Sequence, residues 1–315
     1  MSPSQRRAAV AFLMRKRHVS ERRACQVVGL HRSTNRYAAV PTDFEARLIE
    51  AMKEFADRFP RYGYRRIHAL LVADGWSVNV KRVERLWVLE GLQVPPRRLI
   101  RGQKALGTSE FSAWALPALR PTHIWSYDFV SVRLVNGAGF RVLNVVDEYT
   151  REALGSRVAS SIGARDVTKH LAQLFETHGK PEMIRSDNGR EFVAETVKNW
   201  LRAQGVEPVF IRKASPQQNC YIERFNGTMR DELLDRELFQ SLTEARVVIN
   251  EWLVEYNTFR PHRALGMKPP AVFAADTLAR LKEAKREGVA LVTTDTQTGP
   301  KPALQPAGGN RRKPH

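Results

Sequence analysis

The sequence predicts an α/β fold, a layered domain whose helices cover both faces of a sheet, preceded by small all-helical units. Three observations carry this expectation. Between residues 122 and 160, three strand-like segments follow one another in a meander, with the hairpin dipeptide Asn136-Gly137 between the first two. From residue 163 onward, helical and strand-like segments alternate. Before residue 95, the chain reads as helical pairs turned at Gly29 and Gly75.

Taken in order, residues 4–17 have helical composition, and ERRACQVV follows Ser20, a plausible N-cap. Gly29 supplies a turn, and HRSTNRYAA then exposes Ser33, Thr34, Asn35 and Arg36, which makes a helix-turn-helix-like DNA-binding segment of residues 1–40. A basic helical DNA-binding domain is expected over residues 41–94. It has a helix from Asp43 to Arg58 and a helical pair from Tyr64 to Leu92. In the last of these helices Val83, Leu86, Trp87 and Leu89 are expected on the buried side, with Lys81, Arg82 and Arg85 left for solvent or phosphate. Residues 95–121, rich in Pro and Gly punctuation, read as a linker.

A compact catalytic core is expected over residues 122–275. Its strands are IWSYDFVSVRL, FRVLNVVDEY and EALGSRVAS, followed by a helix over 163–178 and a short strand at EMIRSD. A helix from Glu191 to Ala203, a strand at VEPVFI, and long helices over 216–234 and 243–257 complete it. Residues 276–315 read as a C-terminal helix and a disordered basic tail.

Charge points to a polyanionic partner. The chain of 315 residues has 51 Lys and Arg against 33 Asp and Glu, a net +18, and residues 1–105 alone hold 22 basic against 9 acidic residues. A merely solvated basic surface, as on a ribosomal protein, is the competing explanation of charge taken alone. No run approaches the ~20 apolar residues of a membrane helix, and a secretory signal is absent from the start, so a cytoplasmic protein without membrane contact is expected. The two cysteines, Cys25 and Cys220, lack the spacing of a zinc site and read as buried small residues.

Three carboxylates carry the chemistry. Asp128 lies in an apolar strand, where an acid is costly unless paired or metal-bound. Asp187 follows a strand directly and precedes Asn188-Gly189, a sharp turn that leaves it at the strand's C-terminal end. Glu223 lies on a helix where Asn219, Glu223, Asn226 and Arg230 share a polar face beside an apolar stripe of Ile222, Phe225, Met229 and Leu233. Singly, Asp187 also fits an ordinary turn residue, and Glu223 beside Arg224 fits a surface pair.

Together, the segments WSYDFV, SDNGREF and SPQQNCYIERFNGTMRDELLD, with 35 residues between the second and third acids, resemble the two-aspartate, one-glutamate triad of retroviral integrases and insertion-sequence transposases. YNTFRPHRALGMKPPAVF is similar to the segment closing that domain in the insertion-sequence-three family, and the resemblance, over about residues 60–275, is to its OrfB-type, second-frame product. It implies a ribonuclease-H-like core with a mixed sheet flanked by helices, and a transposase that cleaves and joins element ends. It further implies that Asp128, Asp187 and Glu223 bind Mg2+ or Mn2+, two ions in all. Arg230 matches a basic position that touches DNA. Asn188, Asn219, Asn226, Lys81, Arg82, Arg85 and Arg36 are further candidate DNA contacts, and Gly189 is expected to shape the loop around Asp187. Asp147 matches a recurring acid for which a structural role is expected.

The implied partners are DNA, as terminal inverted repeats and target, further copies of this chain in the active complex, and the upstream-frame protein or a frameshift fusion with it. The implied location is the bacterial cytoplasm, at the nucleoid. A DNA-binding regulator with a decayed core and a nuclease that does not join remain the rival readings.

Overall fold

A computed structural model describes residues 1, 3–36, 43–94, 116–187, 195–210 and 219–287. The first unit is three helices, α1 (Pro3–Arg17), α2 (Glu21–Val28) and α3 (Arg32–Arg36), around a small core of Val10, Ala24, Cys25 and Leu30. The Ser20 hydroxyl accepts from the Arg23 amide at the start of α2, and Gly29 ends it at φ 65°, a left-handed conformation that glycine adopts without a Cβ clash. The turn between α2 and α3 therefore forms where the sequence places it.

The second unit, α4 (Asp43–Arg58), α5 (Tyr64–Ala73) and α6 (Val80–Leu89), has its own core of Leu48, Met52, Phe59, Tyr62, Ile67, Leu70, Leu71, Val83, Leu86 and Trp87. Asn79 caps α6 by accepting from the Lys81 amide at 2.8 Å. One expectation is corrected here. Leu89 is 68% exposed, because the helical period turns it away from the face of α6 that Val83, Leu86 and Trp87 bury.

The third unit holds a five-stranded sheet in the order β3-β2-β1-β4-β5, formed by β1 (Ile124–Arg133), β2 (Gly139–Asp147), β3 (Ala153–Ala159), β4 (Met183–Ser186) and β5 (Glu207–Phe210). The meander β1-β2-β3 is antiparallel, and β4 and β5 run parallel to β1, so the sheet is mixed as expected. Strand alternation divides β1 between two cores. Trp125 and Tyr127, with Phe129 at the margin, pack under α7 (Ala164–His178) and α8 (Glu195–Ala203). On the other face Val130 joins Ile222, Phe225 and Met229 of α9 (Cys220–Met229) and Ile249, Trp252 and Leu253 of α10 (Leu242–Thr258). Ser241 and Glu244 form a capping box that starts α10.

The single helix expected over 216–234 is two pieces. After Met229 the chain widens into a π-helical turn, Arg230–Leu234. Residues 216–218 lie outside the described residues, as do 191–194 at the start of the expected 191–203 helix. The last described helix, α11 (Pro270–Glu287), begins six residues before the expected boundary at 276, with Pro270 in the first turn, where its missing N–H leaves no hydrogen bond unmade. Residues 288–315, which include the expected tail, and most of the linker lie outside the described residues.

The α4–α6 unit rests on the sheet-bearing unit through ion pairs and aromatic stacking. Arg66 meets Glu232 at 3.2 Å, Arg58 meets Glu255 at 3.2 Å, and Arg61 pairs with Asp231. Phe259 stacks on Phe59 with ring centroids 5.4 Å apart. Among the described residues no helix is long and apolar enough to cross a membrane.

Candidate active site

Asp128 stands at the middle of β1, on the face that α9 covers, directly opposite Asn144 of β2. Its carboxyl is lifted to about 6, mainly by burial and less by Asp187, against hydrogen bonds from the Phe129 amide (2.7 Å) and the Asn226 Nδ2 (2.9 Å) and the charge of Arg141, which pull it down. Asp187 follows β4, the parallel neighbour of β1, and is half-buried. Glu223 is exposed on the first turn of α9, and burial, Asp128 and Asp187, in that order, push its carboxyl upward. The three acids are thus close enough to repel one another, although they come from β1, the end of β4 and α9.

Asp128, Asp187 and Glu223 offer the oxygen donors that hard divalent cations prefer, but among the described residues no three acids stand close enough together to form a ready-made ion site. Acids from adjacent parallel strands and a covering helix, open to solvent through Glu223, leave room for a polyanionic substrate.

Beneath the acids lies a buried platform. Glu148 and Arg185 pair at 3.2 Å with side chains 0% and 4% exposed. Glu148 also accepts from Ser126 Oγ, two residues before Asp128, and Arg185, two residues before Asp187, donates to the Leu116 carbonyl at 2.8 Å. The pair links β1 to β4 two residues before each aspartate. Arg151 donates to the Glu148 carbonyl and stacks over the Tyr221 ring at 3.7 Å, which holds the first turn of α9 against the same platform. Sequence reading missed Ser126, Glu148 and Arg185. The i−2 position of each, on the same strand face as its aspartate, was the signal available for Ser126 and Arg185.

The remaining candidates fall in different places. Asn226 is buried, its amide held between Asp128 and Asn144, so it orients an acid inside the protein where a DNA contact was expected. Asn219 is 1% exposed at the start of α9, which likewise removes it from the surface. Asn188 and Gly189 lie outside the described residues. Arg230 is exposed at the start of the π turn. Lys81 is exposed, Arg82 lies over the Phe44 ring at 5.8 Å, and Arg85 pairs with Glu45 across to α4. Arg36 is exposed and paired with Glu21, whose carboxyl is held down at about 2 by Arg36 and Asn35.

Cys25 is buried as expected, whereas Cys220 is exposed, since it begins α9 on the side away from the apolar stripe. Asp147 accepts from the amides of Tyr149 and Thr150 in the loop that follows β2 and from the Thr122 amide just before β1, so it ties that loop to the start of the sheet.

This mixed sheet with its converging acids is that of an integrase-core enzyme, a metal-dependent polynucleotidyl transferase. Two integrase core domain models match residues 118–216 and 204–270, and an HTH-like domain model matches 43–98. A 31.7 kDa protein of insertion element IS407 from Burkholderia multivorans is 40% identical over 266 residues, covering 84% of this chain and 94% of its own length. The putative transposase InsK for element IS150 of Escherichia coli is 27% identical over 207 residues, 64% of this chain and 72% of its own. Among solved structures, the HTLV-2 integrase catalytic core in complex with magnesium aligns over 50% of this chain and 99% of its own, with 19% identity and a TM-score of 0.41. The chain belongs to the insertion-sequence-three family of transposases, as an OrfB-type member, and its activity is DNA transposition.

Proposed function

We propose that Asp128, Asp187 and Glu223 are the catalytic acids of this transposase and hold two divalent cations, Mg2+ or Mn2+. What supports this is Asp128, an acid held in a desolvated position on β1 and lifted to about 6 mainly by burial, with Asp187 and Glu223 near enough to add a smaller electrostatic push. When bound, the cations supply Lewis-acid activation of an attacking oxygen and stabilisation of the leaving one in an in-line displacement. The protein's part is orientation. Asn226 and the Phe129 amide fix both oxygens of Asp128, the Glu148–Arg185 pair holds β4 and its Asp187 beside β1, and α9 brings Glu223 over them.

The order of chemistry is water attack at an element end, releasing a 3′-hydroxyl, then attack of that hydroxyl on target DNA in the same pocket. Exposed Arg230 lies on the same helical extension as Glu223 and is placed to meet the phosphate backbone. Residues 41–94, with Lys81, Arg82 and Arg85 on one exposed face of α6, bind the terminal repeats, and residues 1–40 with Arg36 add a second DNA-binding segment. Handling two ends calls for at least two copies in the active complex, and a frameshift fusion with the upstream-frame protein adds to the assembly. The location is the cytoplasm, at the nucleoid.

The test is incubation of duplexes bearing the element's own ends with the protein in Mg2+, Mn2+ or EDTA. Metal-dependent 3′-end release followed by joined product is expected. Release without joining would make the protein a nuclease, and binding without either would make it a regulator.

A further inference from the structure

A row of polar side chains crosses the sheet in the middle of its most apolar face. Asp128, Asn144 and Ser156 are direct cross-strand partners on β1, β2 and β3. Around them Val130, Val142, Val146, Val158, Phe225 and Met229 form one hydrophobic cluster. Asn144 is 0% exposed in this setting, where an amide is costly unless its groups are bonded and where packing alone would favour Leu.

Its bonds form a continuous chain. Ser156 Oγ donates to Asn144 Oδ1, Asn144 Nδ2 donates to Asn226 Oδ1 at 2.8 Å, and Asn226 Nδ2 donates to Asp128 Oδ2 at 2.9 Å. The direction is dictated from one end. An ionised carboxylate only accepts, so Asn226 must turn its NH2 to Asp128 and its carbonyl to Asn144. Asn144 must then offer its NH2 to Asn226 and its carbonyl to Ser156.

We infer that Asn144, seated by Ser156, is a positioning residue that holds Asn226 in the one amide orientation able to fix Asp128 for metal binding. Without Asn144 the Asn226 carbonyl loses its buried partner, so the amide is anchored only through Asp128 itself and no longer holds that carboxylate in one place. Outer-shell partners of this kind tune metal affinity by roughly 10–100-fold. This inference rests on the assignment of Asp128, Asp187 and Glu223 as metal ligands.

The test is direct binding of Mn2+ to the full chain, read by the electron paramagnetic resonance of free Mn2+, alongside a thermal melt in EDTA. Asn144→Leu, close in volume and apolar like its neighbours, is expected to stay folded and to weaken Mn2+ binding roughly 10-fold or more. Ser156→Ala, part-exposed and outermost in the chain, is expected to weaken it a few-fold, and Ser156→Thr, which keeps the hydroxyl, to restore it. A merely structural role would lower the melting temperature and leave the affinity of the folded protein unchanged. Unchanged affinity in folded Asn144→Leu overturns the inference, and should that variant not fold, unchanged affinity in Ser156→Ala does so. Glu223→Gln separates the two levels. If it binds Mn2+ as the wild type does, the ligand assignment itself fails. If it binds weakly while Asn144→Leu binds normally, only the positioning role fails.

Discussion

Asp128→Asn should become more stable relative to the wild type as pH rises, in the absence of metal. The carboxyl is lifted from 3.8 to about 6 in the folded protein. A raised folded-state value means that its contribution to stability is fully present below 3.8 and is lost as pH rises through about 6. At ~1.4 kcal/mol per unit, the ionised carboxylate costs the native state on the order of 3 kcal/mol above that range, and solvent screening at this part-exposed side chain reduces it to about 1–2 kcal/mol. Asparagine removes that cost but cannot satisfy both the Phe129 amide and the Asn226 NH2, since one of its two atoms is itself a donor. The mismatch loses about 1 kcal/mol at every pH.

The variant is therefore expected to melt below the wild type near pH 4.5 and level with or above it near pH 8. With about 2–4 °C per kcal/mol for a unit of this size, the difference in melting temperature should move by several degrees between the two conditions. The assay is a pair of thermal melts in EDTA. A difference that stays the same at both pH values would refute the placement of Asp128 as a desolvated acid beside Asp187.

Other consequences follow from the same structure. Arg185→Met leaves Glu148 as an unpaired charge with a 0% exposed side chain and should destabilise the core by roughly 3–5 kcal/mol, seen as a lower melting temperature that the additional change Glu148→Gln partly restores. Lys81→Ala with Arg82→Ala should weaken binding to all duplexes alike and flatten the plot of log affinity against log salt by up to about 0.9 per lost phosphate contact, with no change in the melting temperature of the α4–α6 unit.

Much of this architecture is legible in residue patterns, and the remainder shows what patterns omit. The strands of the meander and the stripe Ile222, Phe225, Met229, Leu233 follow from periodicity, since alternate residues must face the core. Ser20 and Gly29 mark a helix start and a helix end through local backbone chemistry. Asp128, Asp187 and Glu223 stand out through motifs that resemble a known triad, whereas Asn144 reads as one polar residue in an apolar strand until its partners on β3 and α9 are known. Asn226 looks like a surface amide on helical spacing, yet the sheet lies against that side of α9. The π turn at Arg230–Leu234 is likewise invisible locally, because the arginines that Asp231 and Glu232 meet lie far away in the chain, at Arg61, Arg66 and Arg260. Long-range ion pairs leave no periodic trace.

The central claim, that the three acids perform the chemistry of transposition, is tested most directly by Glu223→Gln in a cleavage and joining reaction on a plasmid carrying the element's own ends. The substitution removes one charge without changing size, so folding and end binding are expected at wild-type levels while joined product falls below detection. Joining at the wild-type rate by a folded, end-binding Glu223→Gln protein would contradict the account.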